Sequence, residues 1–480
     1  EVEQMNLFKD MVCYQEEVRD PSRIAEVLNR VIEKAIRGSA PAQINVPRDY
    51  WTQVIDIELP PIVRLERQAG GTAAIEEAAK LLSNAKFPVI LSGAGVVIGG
   101  AIKECVKLAE KLDSPVCSGY QHNDSFPGSH PLAVGPLGYN GSKAAMELIA
   151  KSDVVLALGT RLNPFSTLPG YGIDYWPKNA KIIQVDMNSD RIGLTKKVTV
   201  GICGDAKLVA QQLLKKLSPK AGDTDRQKRK DLIHQTKSAW LQKLSSLDHE
   251  DDDPGTVWNK EARERDKDRM SPRQAWRAIQ AGMPEDVIIS SDIGNNCAIG
   301  NAYPTFEKGR KYLAPGLFGP CGYGFPSILG AKIGCPDTPV IGFAGDGAFG
   351  ISMNEMSSCA REEWPAISMV IFRNYQWGAE KRNTTLWFDN NFIGTELDPE
   401  LSYAKVANAC GLKGVTVKTM EETTKAIKQS CEDQKKGTTT FIEVILNQEL
   451  GEPFRRDAMK KPVKVAGIKK EDMRPQKGLN

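Results

Sequence analysis

The sequence lacks any paired cysteine motif. Its 10 cysteines are scattered through 480 residues, and no two of them have the Cys-x-x-Cys spacing that many zinc and redox sites use. We therefore predict neither a zinc site nor a disulfide framework, and a reducing cytoplasm is the expected compartment.

A strong charge of one sign and long apolar runs are also lacking. The 63 Lys and Arg residues nearly balance 60 Asp and Glu residues, which leaves a net charge of +3 and gives no reason to expect a nucleic-acid partner. No apolar run approaches the roughly 20 residues of a membrane-spanning helix, and the opening residues do not have the pattern of a signal peptide. We expect no membrane partner.

The pattern that is present is an alternation of short apolar runs with helix-like segments. This alternation is typical of α/β domains with doubly wound parallel sheets, and 480 residues suffice for two or three domains. We predict a central α/β domain over residues 70–217, a charged linker over 218–270, a further α/β domain over 271–450 and a polar tail over 451–480. The acidic cluster at 249–253 is interpreted as a solvated loop rather than a cation site.

Two predicted strand ends in the last domain carry the most specific pattern. The apolar run Val340 to Ala344 stops at Gly345-Asp346-Gly347, and the run Ile367 to Phe372 stops just before Asn374. Each run is short enough to be a buried strand of a parallel sheet. We therefore expect both breaks at carboxyl ends of strands, where open α/β sheets bind ligands.

The residues at these breaks suit Mg²⁺ held together with the phosphates of a ligand. Asp346 supplies a carboxylate, Asn374 an amide oxygen, and a backbone carbonyl near Gln376 a third oxygen. Gly345 and Gly347 allow backbone N–H groups to approach a diphosphate at the start of the following helix. An ordinary strand-to-helix turn is the alternative for Gly-Asp-Gly alone, but the later asparagine followed by Gln-Trp-Gly favours a ligand site.

This combination resembles the thiamine diphosphate signature of the acetolactate synthase and pyruvate oxidase superfamily, in which Gly-Asp-Gly is followed by Asn-Asn. One departure is visible, because Arg373 stands at the first asparagine while Asn374 keeps the second. Within that superfamily, residues 362–399 are similar to the sulfoacetaldehyde acetyltransferases. The resemblance extends over nearly the whole chain and implies an α/β, three-domain thiamine diphosphate enzyme fold with doubly wound parallel sheets and an incomplete first domain.

The resemblance also implies which residues hold thiamine diphosphate and Mg²⁺. Cys321 stands where relatives usually carry a bulky apolar residue that bends the cofactor, and an ordinary buried thiol is the alternative for it. The metal ligands are expected to be Asp346, Asn374 and Gln376. The cofactor-binding residues are expected to be Gly294, Asn295, Asn296, Gly319, Cys321, Gly345, Asp346, Gly347, Ala348, Asn374, Gln376, Trp377 and Gly378.

Residues 1–55 resemble the closing portion of the pyrimidine-binding domain of that superfamily. Asp20 is a candidate N-cap with Pro21 at the first helical position, Gly38 is a natural stop, and residues 42–46 form a short strand. In this superfamily a glutamate of that domain activates the cofactor. The resemblance places this glutamate upstream of Glu1, so no catalytic residue is assigned within the chain, and the chain alone is expected to be inactive.

The function implied by the resemblance is the conversion of sulfoacetaldehyde and phosphate to acetyl phosphate and sulfite, in the catabolism of taurine and other sulfonates. The active site is expected between subunits of a homodimer or homotetramer. Two alternatives remain: an acetolactate synthase-like carboligase that acts on 2-oxo acids, and a non-catalytic subunit that retains the fold.

Adjacent cations follow the second strand end. Lys381 and Arg382 are candidates to hold the sulfonate or the phosphate of the substrates, because Arg offers a planar fork and Lys a point charge. A solvated basic turn is the alternative.

The glycine-rich turn Gly93-Ala94-Gly95 could hold a nucleotide phosphate, and some relatives bind FAD in this domain. Its spacing lacks the full dinucleotide fingerprint, so a structural role is favoured and no bound FAD is expected.

Overall fold

The computed structural model describes residues 2–61, 66–218, 225–246, 264–316, 318–361, 363–387 and 391–449. The predicted acidic cluster at 249–253 and the predicted tail at 451–480 lie outside these residues. The chain divides into two compact units, Glu1–Glu66 and Arg67–Asn480, and each is described by itself.

The first unit is a small α/β element built around one amphipathic helix. Its elements are α1 (Gln4–Phe8), β1 (Tyr14–Glu17), α2 (Ile24–Gly38) and β2 (Ala42–Asn45), with β1 and β2 paired in parallel. The side chain of Asp20 accepts a hydrogen bond from the Ser22 N–H at 2.9 Å, which confirms it as the cap of a short 3₁₀ turn that leads into α2. Val27 and Val31 of α2 pack on Val18 and form the core of this unit.

The second unit contains two six-stranded sheets. Its strands are β3 (Pro88–Ser92), β4 (Val116–Ser118), β5 (Ala133–Pro136), β6 (Val154–Leu158), β7 (Lys181–Asp186), β8 (Val200–Cys203), β9 (Ile288–Ser291), β10 (Tyr312–Leu313), β11 (Val340–Gly345), β12 (Ser368–Arg373), β13 (Lys413–Val417) and β14 (Thr440–Ile445). Its helices are α3 (Thr72–Asn84), α4 (Ala94–Ile98), α5 (Ile102–Leu112), α6 (Lys143–Ile149), α7 (Ala206–Lys216), α8 (Asp225–Ser246), α9 (Pro272–Gly282), α10 (Asn295–Ile299), α11 (Gly324–Gly334), α12 (Asp346–Ser352), α13 (Met356–Cys359), α14 (Gly378–Trp387), α15 (Tyr403–Ala409) and α16 (Met420–Lys435).

Both sheets are fully parallel. The first has the strand order β5-β4-β3-β6-β7-β8 and the second the order β10-β9-β11-β12-β14-β13, and every neighbouring pair in each is parallel. Strands β3, β6 and β12 are buried along their whole length, because helices cover both faces of a parallel sheet. The predicted doubly wound α/β architecture is confirmed.

Buried polar side chains join the two sheets. The Asn123 amide donates to the carbonyls of Asn301 at 3.0 Å and Pro304 at 2.8 Å, and Asp124 Oδ2 accepts from the backbone N–H groups of Lys311 at 2.9 Å and Tyr312 at 3.3 Å. Burial raises the pKa of the Asp124 carboxyl. We call these contacts the seam between the sheets.

Helix α8 lies within the segment that we predicted as a charged linker. Ile233, Trp240 and Leu244 are 1%, 7% and 6% exposed and belong to the two large cores of the second unit. Most residues of this charged helix are exposed, as expected for a solvated segment, and one side of the helix packs against the protein.

All ten cysteines are free thiols. Within the described ranges, none of the helices combines the length and the apolar character that crossing a membrane requires.

Candidate active site

The two predicted strand ends meet at one edge of the second sheet. Strands β11 and β12 are parallel neighbours, and Gly345 is paired with Phe372, so both chains leave the sheet side by side. Asp346 and Asn374, the residues that follow, are 1% and 2% exposed. The fold thus places a buried carboxylate and a buried amide next to each other at the end of the sheet.

Asp346 is held by three hydrogen bonds. Its Oδ1 accepts from the Gly347 N–H at 3.0 Å, and its Oδ2 accepts from the Tyr375 N–H at 2.6 Å and from Arg373 Nη1 at 3.1 Å. Burial raises the pKa of the Asp346 carboxyl to about 6, and the positive charge of Arg373 acts against this rise. The carboxylate is therefore oriented by its surroundings.

Arg373 is the main residue of this site that sequence reasoning did not assign a role. It has an exposed fraction of 0% and also lies 3.7 Å from Glu443 Oε1. Glu443 in turn accepts from Ser402 Oγ at 2.7 Å and from the Tyr403 N–H at 3.1 Å. Only the departure from the Asn-Asn pattern pointed to Arg373, and no sequence signal pointed to Glu443.

The glycines around Asp346 differ in what surrounds them. A Cβ atom on Gly345 would meet nothing within 4 Å, whereas one on Gly347 would lie 2.8 Å from the indole ring of Trp377. Gly347 is therefore needed for packing against Trp377, and Gly345 borders open space that a ligand can enter. Ala348, the next residue, is 4% exposed.

The end of β9 lies beside β11 and carries buried amides. Asn295 and Asn296 are 4% and 5% exposed. Among the residues that the structure describes, Asn295 Nδ2, Asn295 Oδ1 and Asn296 Oδ1 are buried without a hydrogen-bond partner. Gly294 precedes them with a φ of +126°, a conformation that favours glycine. Buried polar atoms normally find partners, so this strand end is suited to a polar ligand.

Asp292 organises the glycine-rich loop, and sequence reasoning did not single it out. Its Oδ1 accepts from the Gly322 N–H at 3.1 Å and its Oδ2 from the Gly324 N–H at 2.7 Å, while burial raises its pKa. The loop carries Gly319, with a φ of +61°, and Cys321. Cys321 is partly exposed, and its place beside the cofactor stays a prediction.

The segment after Asn374 turns back on itself. The Trp377 N–H donates to the Thr395 carbonyl at 2.8 Å, and the Gln376 side chain donates to the Gln448 carbonyl at 3.1 Å. In the described part of the chain, Gln376 Oε1 is buried without a hydrogen-bond partner. Gly378 begins α14 directly afterwards.

Helix α14 carries the two predicted anion-binding cations. Lys381 Nζ lies 2.5 Å from Glu396 Oε1 and 5.3 Å from the centre of the Phe392 ring, so an acid of the protein already balances its charge. Arg382 is 3% exposed, which does not match the alternative of a solvated basic turn for this residue. The assignment of either residue to a substrate anion stays a prediction.

The glycine turn of the central domain has a packing explanation. A Cβ atom on Gly93 would lie 2.5 Å from Thr160 Cβ, and one on Gly95 would lie 2.7 Å from Gly159 Cα. These glycines let β3 and β6 approach closely at their ends, which supports a structural role for the turn.

The donors at the edge of the second sheet fit Mg²⁺ and a diphosphate. A buried carboxylate next to amide oxygens is a hard-oxygen donor set, which Mg²⁺ prefers. The open space at Gly345 and the unpartnered amides of Asn295 and Asn296 leave room and polar groups for phosphate oxygens.

Comparison with known proteins agrees with this chemistry. Residues 75–213 match the family model described as "Thiamine pyrophosphate enzyme, central domain", and residues 292–444 match "Thiamine pyrophosphate enzyme, C-terminal TPP binding domain". Thiamine pyrophosphate is another name for thiamine diphosphate.

Two relatives and one solved structure illustrate the similarity. The chain is 78% identical over 479 residues to a protein named "Probable sulfoacetaldehyde acetyltransferase" of Rhizobium meliloti, covering 100% of this chain and 81% of that protein. It is 28% identical over 476 residues to the acetolactate synthase large subunit of Corynebacterium glutamicum, covering 96% and 70%. The crystal structure of benzoylformate decarboxylase from Polynucleobacter necessarius matches with a TM-score of 0.73 at 19% identity, covering 94% of this chain and 78% of that one, which shows the fold.

Proposed function

This chain belongs to the sulfoacetaldehyde acetyltransferase family of thiamine pyrophosphate enzymes, and from that premise we propose that it converts sulfoacetaldehyde and inorganic phosphate to acetyl phosphate and sulfite. The observation that carries the proposal is the 78% identity over 100% of the chain. At 28% identity, the similarity to an acetolactate synthase is much lower.

When bound, thiamine diphosphate supplies a nucleophilic carbon that can add to the carbonyl group of the substrate. The chain itself supplies the site for the diphosphate end. We propose that Asp346, Asn374 and the Gln376 carbonyl hold Mg²⁺, with Gly345, Asn295 and Asn296 facing the diphosphate. The buried carboxylate and the unpartnered buried amides support this arrangement.

We propose that Asp292 positions the loop that covers this end of the cofactor. It does so by accepting the N–H groups of Gly322 and Gly324, which fixes the backbone around Gly319 and Cys321. A carboxylate that accepts several backbone N–H groups holds a loop more rigidly than a single neutral hydrogen bond would.

Product analysis of the full-length protein tests the reaction. Incubated with thiamine diphosphate, Mg²⁺ and phosphate, the protein is expected to release sulfite and acetyl phosphate from sulfoacetaldehyde. With pyruvate it is expected to form no acetolactate. Acetolactate formation without sulfite release would favour the carboligase alternative. Absence of Mg²⁺-dependent thiamine diphosphate binding would favour a non-catalytic subunit.

The assembly and the setting of the enzyme are also proposals. A homodimer or homotetramer in the cytoplasm, acting in taurine and sulfonate catabolism, is consistent with the ten free thiols and with the family. Sedimentation velocity of the full-length protein distinguishes the two assemblies from a monomer.

A further inference from the structure

Arg373 is a buried cation between two carboxylates. Its Nη1 lies 3.1 Å from Asp346 Oδ2 and its Nε lies 3.7 Å from Glu443 Oε1. The exposed fractions of these two acids are 1% and 2%. Water therefore screens the three charges weakly, and each of them strongly affects the affinity of the site for any further ion.

The guanidinium plane of Arg373 is fixed on all sides. It donates to the carbonyls of Asp398 and Leu401, and its centre lies 4.2 Å from the ring centre of Tyr375 and 5.4 Å from that of Tyr403. A planar fork can make these contacts at the same time as the ion pair with Asp346, and a lysine ammonium cannot. Contacts with the protein itself therefore hold Arg373 in place.

The oxygens of Asp346 are used unequally. Oδ2 accepts from both Arg373 and the Tyr375 N–H, whereas Oδ1 accepts from the Gly347 N–H. The two backbone donors would orient the carboxylate even without Arg373. Arg373 adds a positive charge beside the Asp346 carboxylate. A divalent cation would bind to the same carboxylate.

We propose that the positive charge of Arg373, which is always present beside Asp346, weakens the binding of a free divalent ion to Asp346. Tight metal binding then requires the diphosphate of the cofactor. The inference rests on the metal site in the proposed function. Arg373 acts through Asp346 and is a positioning residue. Its opposite partner is Glu443, which offsets part of the positive charge of Arg373, so the two residues shift the affinity for a cation in opposite directions.

The test measures Mn²⁺ binding to the full-length protein by electron paramagnetic resonance, with and without thiamine diphosphate. Arg373→Met removes the charge and keeps much of the length, and it is expected to bind Mn²⁺ without cofactor about 10-fold more tightly than the wild type. Glu443→Gln keeps the shape of the side chain and is expected to bind Mn²⁺ more weakly. Arg373→Lys keeps the charge without the contacts of the planar fork, and it is expected to bind Mn²⁺ more weakly than Arg373→Met does.

Opposite shifts in Arg373→Met and Glu443→Gln support the proposal, because general damage to the site would weaken binding in both variants. Unchanged or weaker Mn²⁺ binding by Arg373→Met overturns it. If Arg373→Met does not fold, the Glu443→Gln arm decides, and unchanged or tighter binding there overturns the proposal. Asp346→Asn separates the two levels of inference, since undiminished Mn²⁺ binding by that variant would refute the metal site itself.

Discussion

At the scale of single residues, Asp346 combines two roles that a sequence motif cannot separate. It is the expected metal ligand, and it is also the partner of a buried arginine. Removal of one member of a buried ion pair leaves the other charge without compensation. Substitutions at Asp346 therefore affect the fold as well as the cofactor, whereas the motif alone suggests an effect on the cofactor only.

Asp346→Ala is expected to abolish the Mg²⁺ dependence of thiamine diphosphate binding and to destabilise the protein by roughly 1.5 to 3 kcal/mol, because buried Arg373 loses its charge-assisted hydrogen bond to Asp346 and keeps only Glu443 as an acidic partner. Titration calorimetry measures the first effect and thermal unfolding the second. Asp337→Ala, at an exposed acidic residue, is the control and should change neither. Unchanged cofactor affinity in Asp346→Ala would refute its assignment as a metal ligand.

The cations of α14 allow a matched comparison. If Arg382 holds the sulfonate or the phosphate, Arg382→Ala should raise the KM for that anion by about 10- to 150-fold, since a charge-assisted bond contributes roughly 1.5 to 3 kcal/mol. Lys381→Ala should have a smaller effect because Glu396 already pairs with Lys381. Steady-state kinetics checks both variants, with cofactor affinity as the control. Equal KM values in Arg382→Ala and the wild type would contradict the anion site.

The sequence predicts the site residues that belong to motifs and misses those that reach it from elsewhere. Asp346 and Asn374 follow apolar runs and could be placed at strand ends from the chain alone. Asp292 precedes its loop partners Gly322 and Gly324 by some 30 positions, and Glu443 reaches Arg373 only because β12 and β14 are neighbours. Such contacts depend on strand order, which local patterns do not determine.

At the scale of elements, the turn from β11 into α12 shows how two glycines of one motif differ. Gly345 has an ordinary extended backbone, with φ −70° and ψ 158°, and open space at its Cβ position, whereas Gly347 is packed against the Trp377 ring. An alanine substitution at Gly345 should therefore affect ligand binding, and an alanine substitution at Gly347 should affect packing.

Gly345→Ala is expected to leave the thermal midpoint unchanged and to weaken thiamine diphosphate binding, because the added methyl group occupies the space proposed for the diphosphate. Gly347→Ala is expected to lower both the thermal midpoint and the affinity for thiamine diphosphate, since the ring of Trp377 must move. Differential scanning fluorimetry and titration calorimetry give the two readouts. Full cofactor affinity in a stable Gly345→Ala variant would place the diphosphate elsewhere.

The strands of this protein are easier to predict from the sequence than the surroundings of its helices. The buried strands were predictable because a strand covered on both faces of a parallel sheet has a short, uninterrupted apolar run. Helix α8 is mostly exposed, as its charge predicts, but its buried side consists of widely spaced residues, among them Ile233, Trp240 and Leu244, whose packing partners the sequence does not indicate. A narrow apolar stripe between charges resembles a solvated helix until its partner surface is known.

At the scale of the whole molecule, we expect the seam to couple the unfolding of the two sheets. Asn123 is 8% exposed and donates to two backbone carbonyls across the seam. Buried acceptors that lose their donor cost roughly 1 to 3 kcal/mol each. No local pattern indicates this role for Asn123, because it arises only when the two sheets dock.

Asn123→Ala is expected to lower the thermal midpoint and to split a single calorimetric transition into two, as the sheets lose part of their coupling. Asn354→Ala, at an exposed position, is the control and should keep the wild-type profile. A single unshifted transition in Asn123→Ala would show that the apolar contacts between the sheets suffice for their cooperativity.

The chemistry of the seam also affects how the two halves can diverge in evolution. Asn123, Asp124 and Asn301 each bond backbone groups on the opposite side. Every residue has the backbone carbonyl, and every residue except proline has the backbone N–H. A change of residue on one side therefore does not demand a matching change on the other. Exchange of one half for that of a distant relative is therefore expected to preserve the hydrogen bonds of the seam wherever these three side chains are retained, so that each half can acquire new chemistry without breaking them.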